Sequence, residues 1–86
     1  MSRLSYLRVG DQAFVEGFEP IGSGQFTEEQ ADSVKALLKM GVLPGSEIIV
    51  VSRALTGDPI AIEVRGARIA IGKKEASLIC VKEVSL

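Results

Sequence analysis

The sequence predicts a mainly β fold with one or two helices: a small, partly open barrel of about five short strands, with a helix inserted after the first strand. Short apolar runs recur between turn residues along most of the chain, and one segment in its first half has the spacing and the caps of an amphipathic helix. Short strands in so small a chain cannot hide their edges as a flat sheet, whereas a barrel buries one face and leaves the other in water.

Length and composition fit one small domain over residues 1–86. The 86 residues are 47% hydrophobic, which suffices for one core but not for a deep, enclosed active site. The formal net charge is -1, so no overall field attracts nucleic acid or an anionic membrane. No segment approaches the ~20 apolar residues of a membrane-spanning helix, and the N-terminus lacks the apolar core of a signal peptide. We therefore expect a cytoplasmic protein without direct membrane insertion.

The first strand is predicted at Ala13–Phe18 and the helix from Thr27 onward. The helix start has the form of a capping box, in which Thr27 and Gln30 each satisfy the other's backbone amide. Gly41 then follows the C-cap, where glycine adopts a left-handed conformation without steric cost. The residues expected to form the buried stripe are Ala31, Val34, Leu37 and Leu38.

A turn and a central strand follow the helix. Pro44 and Gly45 fit the two middle positions of a type II turn, the second of which requires positive φ. The next segment, Glu47–Arg53, is β-branched through its centre and apolar on both faces. It should therefore lie between other strands rather than at an edge of the sheet.

The second half of the chain predicts three more strands. Ile60–Arg65 alternates apolar and polar residues, so one of its faces should pack into the core and the other should face solvent. Gly66-Ala67 is a plausible two-residue hairpin link to the strand Arg68–Ile71. A polar break at Gly72–Ala76 precedes the last strand, Leu78–Val84. These patterns leave an SH3-like barrel, an OB-like barrel and a small α+β roll open.

The residue types argue against catalysis and against a tight metal site. The chain has no histidine, the commonest general base and the commonest neutral metal ligand. Its serines lack the nucleophile-elbow motif, and carboxylates without imidazole cannot form the facial triad of ferrous-iron enzymes. Cys80 lies between Ile79 and Val81, which favours a small core residue over a reactive thiol. We expect no enzyme activity and no cofactor.

Basic residues are concentrated late in the chain, a pattern that can indicate nucleic-acid binding. The aromatic side chains that would stack on bases all lie before residue 27, far from this segment in sequence. A solvated basic face without nucleic-acid binding is therefore the favoured interpretation. The basic residues are Arg65, Arg68, Lys73, Lys74 and Lys82.

The loop at 54–59 is the one candidate for partner contact. Turn chemistry accounts for three residues of this loop. Gly57 can adopt an unusual φ, the Asp58 side chain can hydrogen-bond to the backbone, and Pro59 restricts the backbone where the next strand begins. It does not account for Leu55, an apolar residue at a loop tip, where such residues can contact a partner. We predict that Leu55, Thr56 and Asp58 bind a partner, and turn chemistry alone is the alternative.

Three ordered motifs make the chain resemble the FeoA family of small ferrous-iron transport accessory proteins. They are Leu38-x-x-Gly41-x-x-Pro44-Gly45, Gly57-Asp58-Pro59-Ile60 and Glu75-Ala76-x-x-Ile79-x-Val81. The resemblance covers nearly the whole chain and implies an SH3-like barrel, which the patterns alone left open. It also implies a non-enzymatic cytosolic accessory or regulatory protein, whose partner is the GTP-binding cytosolic domain of a FeoB-like membrane transporter.

The chain also resembles the C-terminal SH3-like domain of iron-dependent repressors of the DtxR family. That resemblance implies an alternative function, a stand-alone regulatory module that binds a peptide or a small ligand. Neither resemblance fixes the oligomeric state, and a homo-oligomer remains open.

Overall fold

The computed structural model describes residues 2–22 and 24–84. The described residues form six strands, two helices and one 3-10 turn. The strands are β1 Ser2–Arg3, β2 Gln12–Phe18, β3 Glu47–Arg53, β4 Ile60–Val64, β5 Ala67–Ile71 and β6 Ile79–Glu83. The helices are α1 Glu28–Lys39 and α2 Lys73–Ala76, and the 3-10 turn is Leu4–Tyr6.

The strands build one antiparallel sheet in the order β1-β6-β2-β3-β4-β5. Its register shifts between Val15 and Gly17 in β2 and between Val50 and Ser52 in β3, where an extra residue bends the strand. β3 lies between β2 and β4, as its two apolar faces predict. Within the described residues β1 and β5 are the two ends of the sheet, so the barrel is partly open as expected.

The sequence predicts five strands and one helix, and it misses three short elements: β1, the 3-10 turn and α2. β1 has two residues, and their partners Val81 and Cys80 lie at the far end of the sequence. The 3-10 turn occupies a stretch with no turn motif of its own. The predicted polar break contains α2, a helix of four residues whose N-cap is Gly72, a residue with no side chain to cap with. Because this segment is short and mostly polar, no apolar periodicity indicated a helical turn there.

The core combines buried side chains of the sheet with others from the 3-10 turn, α1 and α2. In β4 the buried residues alternate with half-buried ones, which confirms the predicted two-faced strand. Leu37 is buried, but Leu38 is exposed, so its place in the predicted helix stripe is wrong. The fully buried large side chains are Leu4, Leu7, Val15, Leu37, Val42, Ile48, Val50, Ile60, Ile62, Val64, Ile71 and Ile79.

The predicted capping box is present at the start of α1. Thr27 Oγ1 accepts from the Gln30 amide at 3.1 Å, and Gln30 Oε1 accepts from the Thr27 amide at 3.4 Å. Gln30 Nε2 also donates to the Ile21 carbonyl at 3.2 Å, which ties the preceding loop to the helix.

Replacing Thr27 with alanine is expected to lower the free energy of unfolding by ~1 kcal/mol, because the Gln30 amide loses its partner. Urea denaturation of wild type and variant measures the difference. Gln25→Ala is the matched control, since Gln25 is exposed and precedes the cap. Equal midpoints for wild type and Thr27→Ala would contradict this role for Thr27.

The predicted stop of α1 is also confirmed. Gly41 has φ 96°, its amide donates to Leu38 O at 3.1 Å, and the Val42 amide donates to Leu37 O at 3.0 Å. These two bonds form a Schellman motif, and the buried side chains of Leu37 and Val42 are the apolar pair that accompanies such a motif.

The first of the two predicted tight turns is confirmed and the second is displaced by one residue. Ser46 donates to Leu43 O at 3.0 Å and Gly45 has φ 89°, as a type II turn requires. The β4–β5 hairpin turns at Arg65-Gly66, with φ 53° and 82°, and not at Gly66-Ala67. Positive φ at both positions is the type I′ geometry that suits the twist of a hairpin.

Candidate partner-binding surface

The backbone of the β3–β4 loop is closed by its own hydrogen bonds. The Gly57 amide donates to Ala54 O at 2.7 Å, and the Ala54 amide donates to Pro59 O at 3.1 Å. Gly57 has φ 84°, and the Asp58–Pro59 peptide bond is cis. Gly57 and Pro59 thus serve the turn, as their residue types predict.

The two polar residues of the predicted site also contact the protein itself. Asp58 Oδ1 accepts from the Lys73 amide at 3.0 Å, so its carboxylate caps the first turn of α2. Thr56 Oγ1 donates to the Asp58 carbonyl at 3.1 Å. Both residues are exposed. Thr56 and Asp58 therefore hold the loop in shape, and their contact with a partner stays a prediction.

Leu55 projects into solvent from this braced loop. It exposes 108% of its reference area, the highest value among the exposed large apolar residues. The position at a loop tip, inferred from the sequence, thus leaves the side chain fully exposed. Desolvating such a side chain in a contact contributes about 1.5–3 kcal/mol.

Arg53 joins the loop to the N-terminal part of the chain. Its Nη1 atom donates to the Ser5 carbonyl at 3.2 Å and also to the Leu7 carbonyl. A Cβ atom placed on Gly57 would lie 3.5 Å from Arg53 Nη2, so the guanidinium also lies against the loop. The 3-10 turn and the loop therefore meet at one half-buried side chain.

Tyr6 belongs to the same region and was missed by the sequence analysis. It follows Ser5 in the 3-10 turn that Arg53 holds, and it is 76% exposed. We name the Leu55 surface for the exposed residues of the loop tip and of the 3-10 turn that Arg53 links to it: Tyr6, Leu55, Thr56 and Asp58. The one sequence signal was Arg53, a basic residue at the end of the β-branched strand β3, but the sequence does not indicate which carbonyls its guanidinium reaches.

Cys80 is confirmed as a buried residue. It is 3% exposed, and burial raises the pKa of its thiol above the ordinary value. The Arg3 guanidinium opposes this shift of the pKa, while the charge of the Glu19 carboxylate adds to it. A raised pKa keeps the sulfur protonated and weakly nucleophilic.

Across residues 2–22 and 24–84, no cluster of three or more histidine, cysteine, aspartate or glutamate side chains could hold a metal ion. We expect calorimetry of the purified monomer to show no stoichiometric, sub-micromolar binding of ferrous iron or zinc, since both need several convergent ligands. Ca²⁺ serves as the control for weak, nonspecific binding to carboxylates. A stoichiometric isotherm with iron or zinc in the monomer would overturn this expectation; binding seen in a dimer alone would not.

The longest helix in the described part of the chain is α1, and no helix there is both long and apolar enough to cross a bilayer. The basic residues expected on the late strands are all exposed, but only Arg68 and Lys82 of the five lie on strands, since Arg65 is in the β4–β5 turn and Lys73 and Lys74 are in α2.

The bent antiparallel sheet, the inserted helix and the braced β3–β4 loop define a small domain of the SH3-like class. The family model of the FeoA domain matches residues 2–83, and the chain belongs to the FeoA family. This family is linked to ferrous iron transport.

Similar solved structures agree with this assignment. A FeoA-like protein from Clostridium acetobutylicum is 26% identical, with 100% of this chain and 93% of that chain covered and a TM-score of 0.78. FeoA from Stenotrophomonas maltophilia is 23% identical, covers 95% of this chain and 91% of its own, and has a TM-score of 0.75. It was solved in complex with zinc and is described as a procaryotic SH3 domain protein and a candidate ferrous iron transport activating factor.

The same fold occurs inside longer proteins. A manganese-dependent transcriptional repressor is 18% identical, with 96% of this chain but 41% of the repressor covered and a TM-score of 0.74. At this identity the likeness shows the fold alone.

Proposed function

We propose that this protein is a non-enzymatic cytoplasmic accessory or regulatory protein of ferrous iron uptake. It acts by binding the cytosolic GTP-binding portion of a FeoB-like membrane transporter through the Leu55 surface. Membership of the FeoA family supports the iron-uptake role. The observation that carries the choice of surface is the fully exposed Leu55 at the tip of a loop whose backbone is internally bonded.

A braced loop suits this role energetically. Ordering a mobile loop on binding costs about 0.5–1.5 kcal/mol for each immobilised side chain, and a loop already held in shape avoids part of that cost. Asp58 is held through the Lys73 amide and Gly57 lies against Arg53, so two separate elements support the tip. Leu55 is then available as an apolar anchor beside the polar residues Thr56 and Asp58, and the exposed Tyr6 lies in the 3-10 turn that Arg53 links to the loop.

Titration of the purified protein against the isolated cytosolic portion of the transporter from the same organism tests the proposal. Fluorescence anisotropy is recorded without nucleotide, with GDP and with a non-hydrolysable GTP analogue. We expect saturable binding in at least one of these states. Flat titrations in all three would contradict the proposed partner.

The second candidate is a stand-alone regulatory module that binds a peptide or a small ligand. The occurrence of the same fold within a manganese-dependent repressor favours it, since there the domain is part of a regulator. Flat titrations with the transporter in every nucleotide state would make this candidate the better one.

A further inference from the structure

The edge of the sheet at β5 is open within the described part of the chain. β5 pairs with β4 on one side, and among residues 2–22 and 24–84 no strand pairs with it on the other. The two-residue turn makes Val64 and Ala67 a hydrogen-bonded pair, after which bonded and non-bonded pairs alternate. The amides and carbonyls of Arg68 and Ala70 therefore point away from β4, toward the open edge.

Basic residues predominate along this edge, although the Asp58 carboxylate lies at its end, 3.0 Å from the Lys73 amide. From residue 65 to residue 74 the chain has four basic residues and no acidic one: Arg65, Arg68, Lys73 and Lys74, all exposed. Glu63 on β4 approaches Arg68 at 3.4 Å, but the Arg68 side chain is still 73% exposed. An exposed pair of this kind neutralises little of the local field.

We propose that β5 is a docking edge for an extended, acidic segment of a partner protein, which adds to the sheet as a further antiparallel or parallel strand. Backbone pairing with Arg68 and Ala70 supplies the binding, as in other strand-addition complexes. The basic flank selects for acidic residues. The proposal concerns the backbone edge of β5, which adjoins the Leu55 surface where Asp58 accepts from the Lys73 amide, and it does not rest on the transporter being the partner.

The side chains of β5 define the pattern of that segment. Arg68 and Ala70 lie on the outer face of the sheet, opposite Glu63 and Ala61, whereas Ile69 points toward the core and is half-buried. Successive residues of a strand alternate between faces. The segment that fits best therefore alternates acidic residues, on the face of Arg68, with apolar residues beside Ile69.

Charge also argues against the two other occupants of such an edge. Pairing with a second copy of β5 would bring two sets of the same four basic side chains together, and like charges across a strand pair are unfavourable. Nucleic acid would need stacking partners, and residues 65–74 contain no aromatic side chain.

The probe for this proposal is a capped hexapeptide of alternating glutamate and valine. Its control is the same peptide with lysine in place of glutamate. Backbone amide NMR at low salt should show saturable shifts centred on residues 67–72 with the acidic peptide, and slower hydrogen exchange at the Arg68 and Ala70 amides. The lysine peptide should bind at least tenfold more weakly. No shifts at millimolar acidic peptide, or shifts without slowed exchange, would overturn the proposal.

Two variants test the geometry separately from the charge. Ala70→Pro removes an amide that points to the open edge and not to β4, so the β4–β5 pairing can persist; Ala70→Val is its matched control. The proline variant should bind the acidic peptide at least tenfold more weakly, and equal binding would contradict backbone pairing. Should Ala70→Pro fail to fold, Lys73→Glu with Lys74→Glu changes exposed side chains alone and should weaken binding to a similar extent.

Two further outcomes would assign the edge to another occupant. If single-stranded oligothymidylate binds as tightly as the acidic peptide, and if Ala70→Pro does not weaken that binding, β5 belongs to a general polyanion-binding surface. Self-association of the wild type that Ala70→Pro abolishes, measured by sedimentation, would place a second copy on β5. Either result overturns the proposal.

Discussion

Replacing Leu55 with glutamate is expected to weaken association with the transporter's cytosolic portion by at least tenfold. The side chain is fully exposed in the isolated protein, so the free energy of unfolding should change by less than ~0.5 kcal/mol. In the complex the same position would be desolvated, and an unpaired carboxylate there costs several kcal/mol. Calorimetric titration of both proteins, at matched stability, measures the difference.

Two matched variants separate the position from the charge. Leu55→Ser removes the apolar side chain without adding charge and should give an intermediate loss of affinity. Ala36→Glu adds the same charge at an exposed position of α1 and should bind as wild type does. If the wild type binds and Leu55→Glu binds equally well, the loop is only a turn and the contact lies elsewhere.

Replacing Gly41 with valine is expected to lower the free energy of unfolding by about 1–2 kcal/mol or more. Gly41 has φ 96°, and a β-branched residue is strongly disfavoured at positive φ. Space is not the obstacle, because a Cβ atom on Gly41 would lie 3.8 Å from Arg65 Cδ, an ordinary contact. The cost is therefore conformational, and loss of the Schellman bonds adds to it.

Gly41→Asn is the matched control for this prediction. Asparagine tolerates the left-handed conformation better than valine, so the asparagine variant should lose less stability than the valine variant. Urea denaturation of the three proteins gives the comparison. A change within ~0.3 kcal/mol for Gly41→Val would refute the importance of this helix stop.

Features encoded by neighbouring residues were predictable from the sequence. The capping box needs Thr27 and Gln30 three positions apart, and the helix stop needs Gly41 directly after the C-cap. β3 was predicted with its observed bounds, Glu47–Arg53, since its β-branched run is continuous. Leu55 was singled out because turn chemistry does not require an apolar residue there, and its contact with a partner stays a prediction.

Features that depend on distant residues were not predictable in this way. β1 exists because two residues pair with β6, and nothing local marks them as a strand. Arg53 reaches the carbonyls of Ser5 and Leu7, more than forty positions earlier in the sequence. The hairpin shift has a different reason: Arg65 adopts positive φ, which is uncommon for a residue other than glycine and therefore carries no sequence signal.

The pairing of β1 with β6 has a consequence for how this domain can be carried by other chains. Arg3 lies opposite Cys80, and its guanidinium donates to the Ser77 carbonyl at 3.0 Å, so the polypeptide enters and leaves the barrel at adjacent points. A host protein could therefore accept the domain as a cassette, with both connections on one side and the β3–β4 loop uninterrupted. Domains whose entry and exit points are close together tolerate insertion and circular permutation. This geometry fits the recurrence of the same barrel within a repressor more than twice its length.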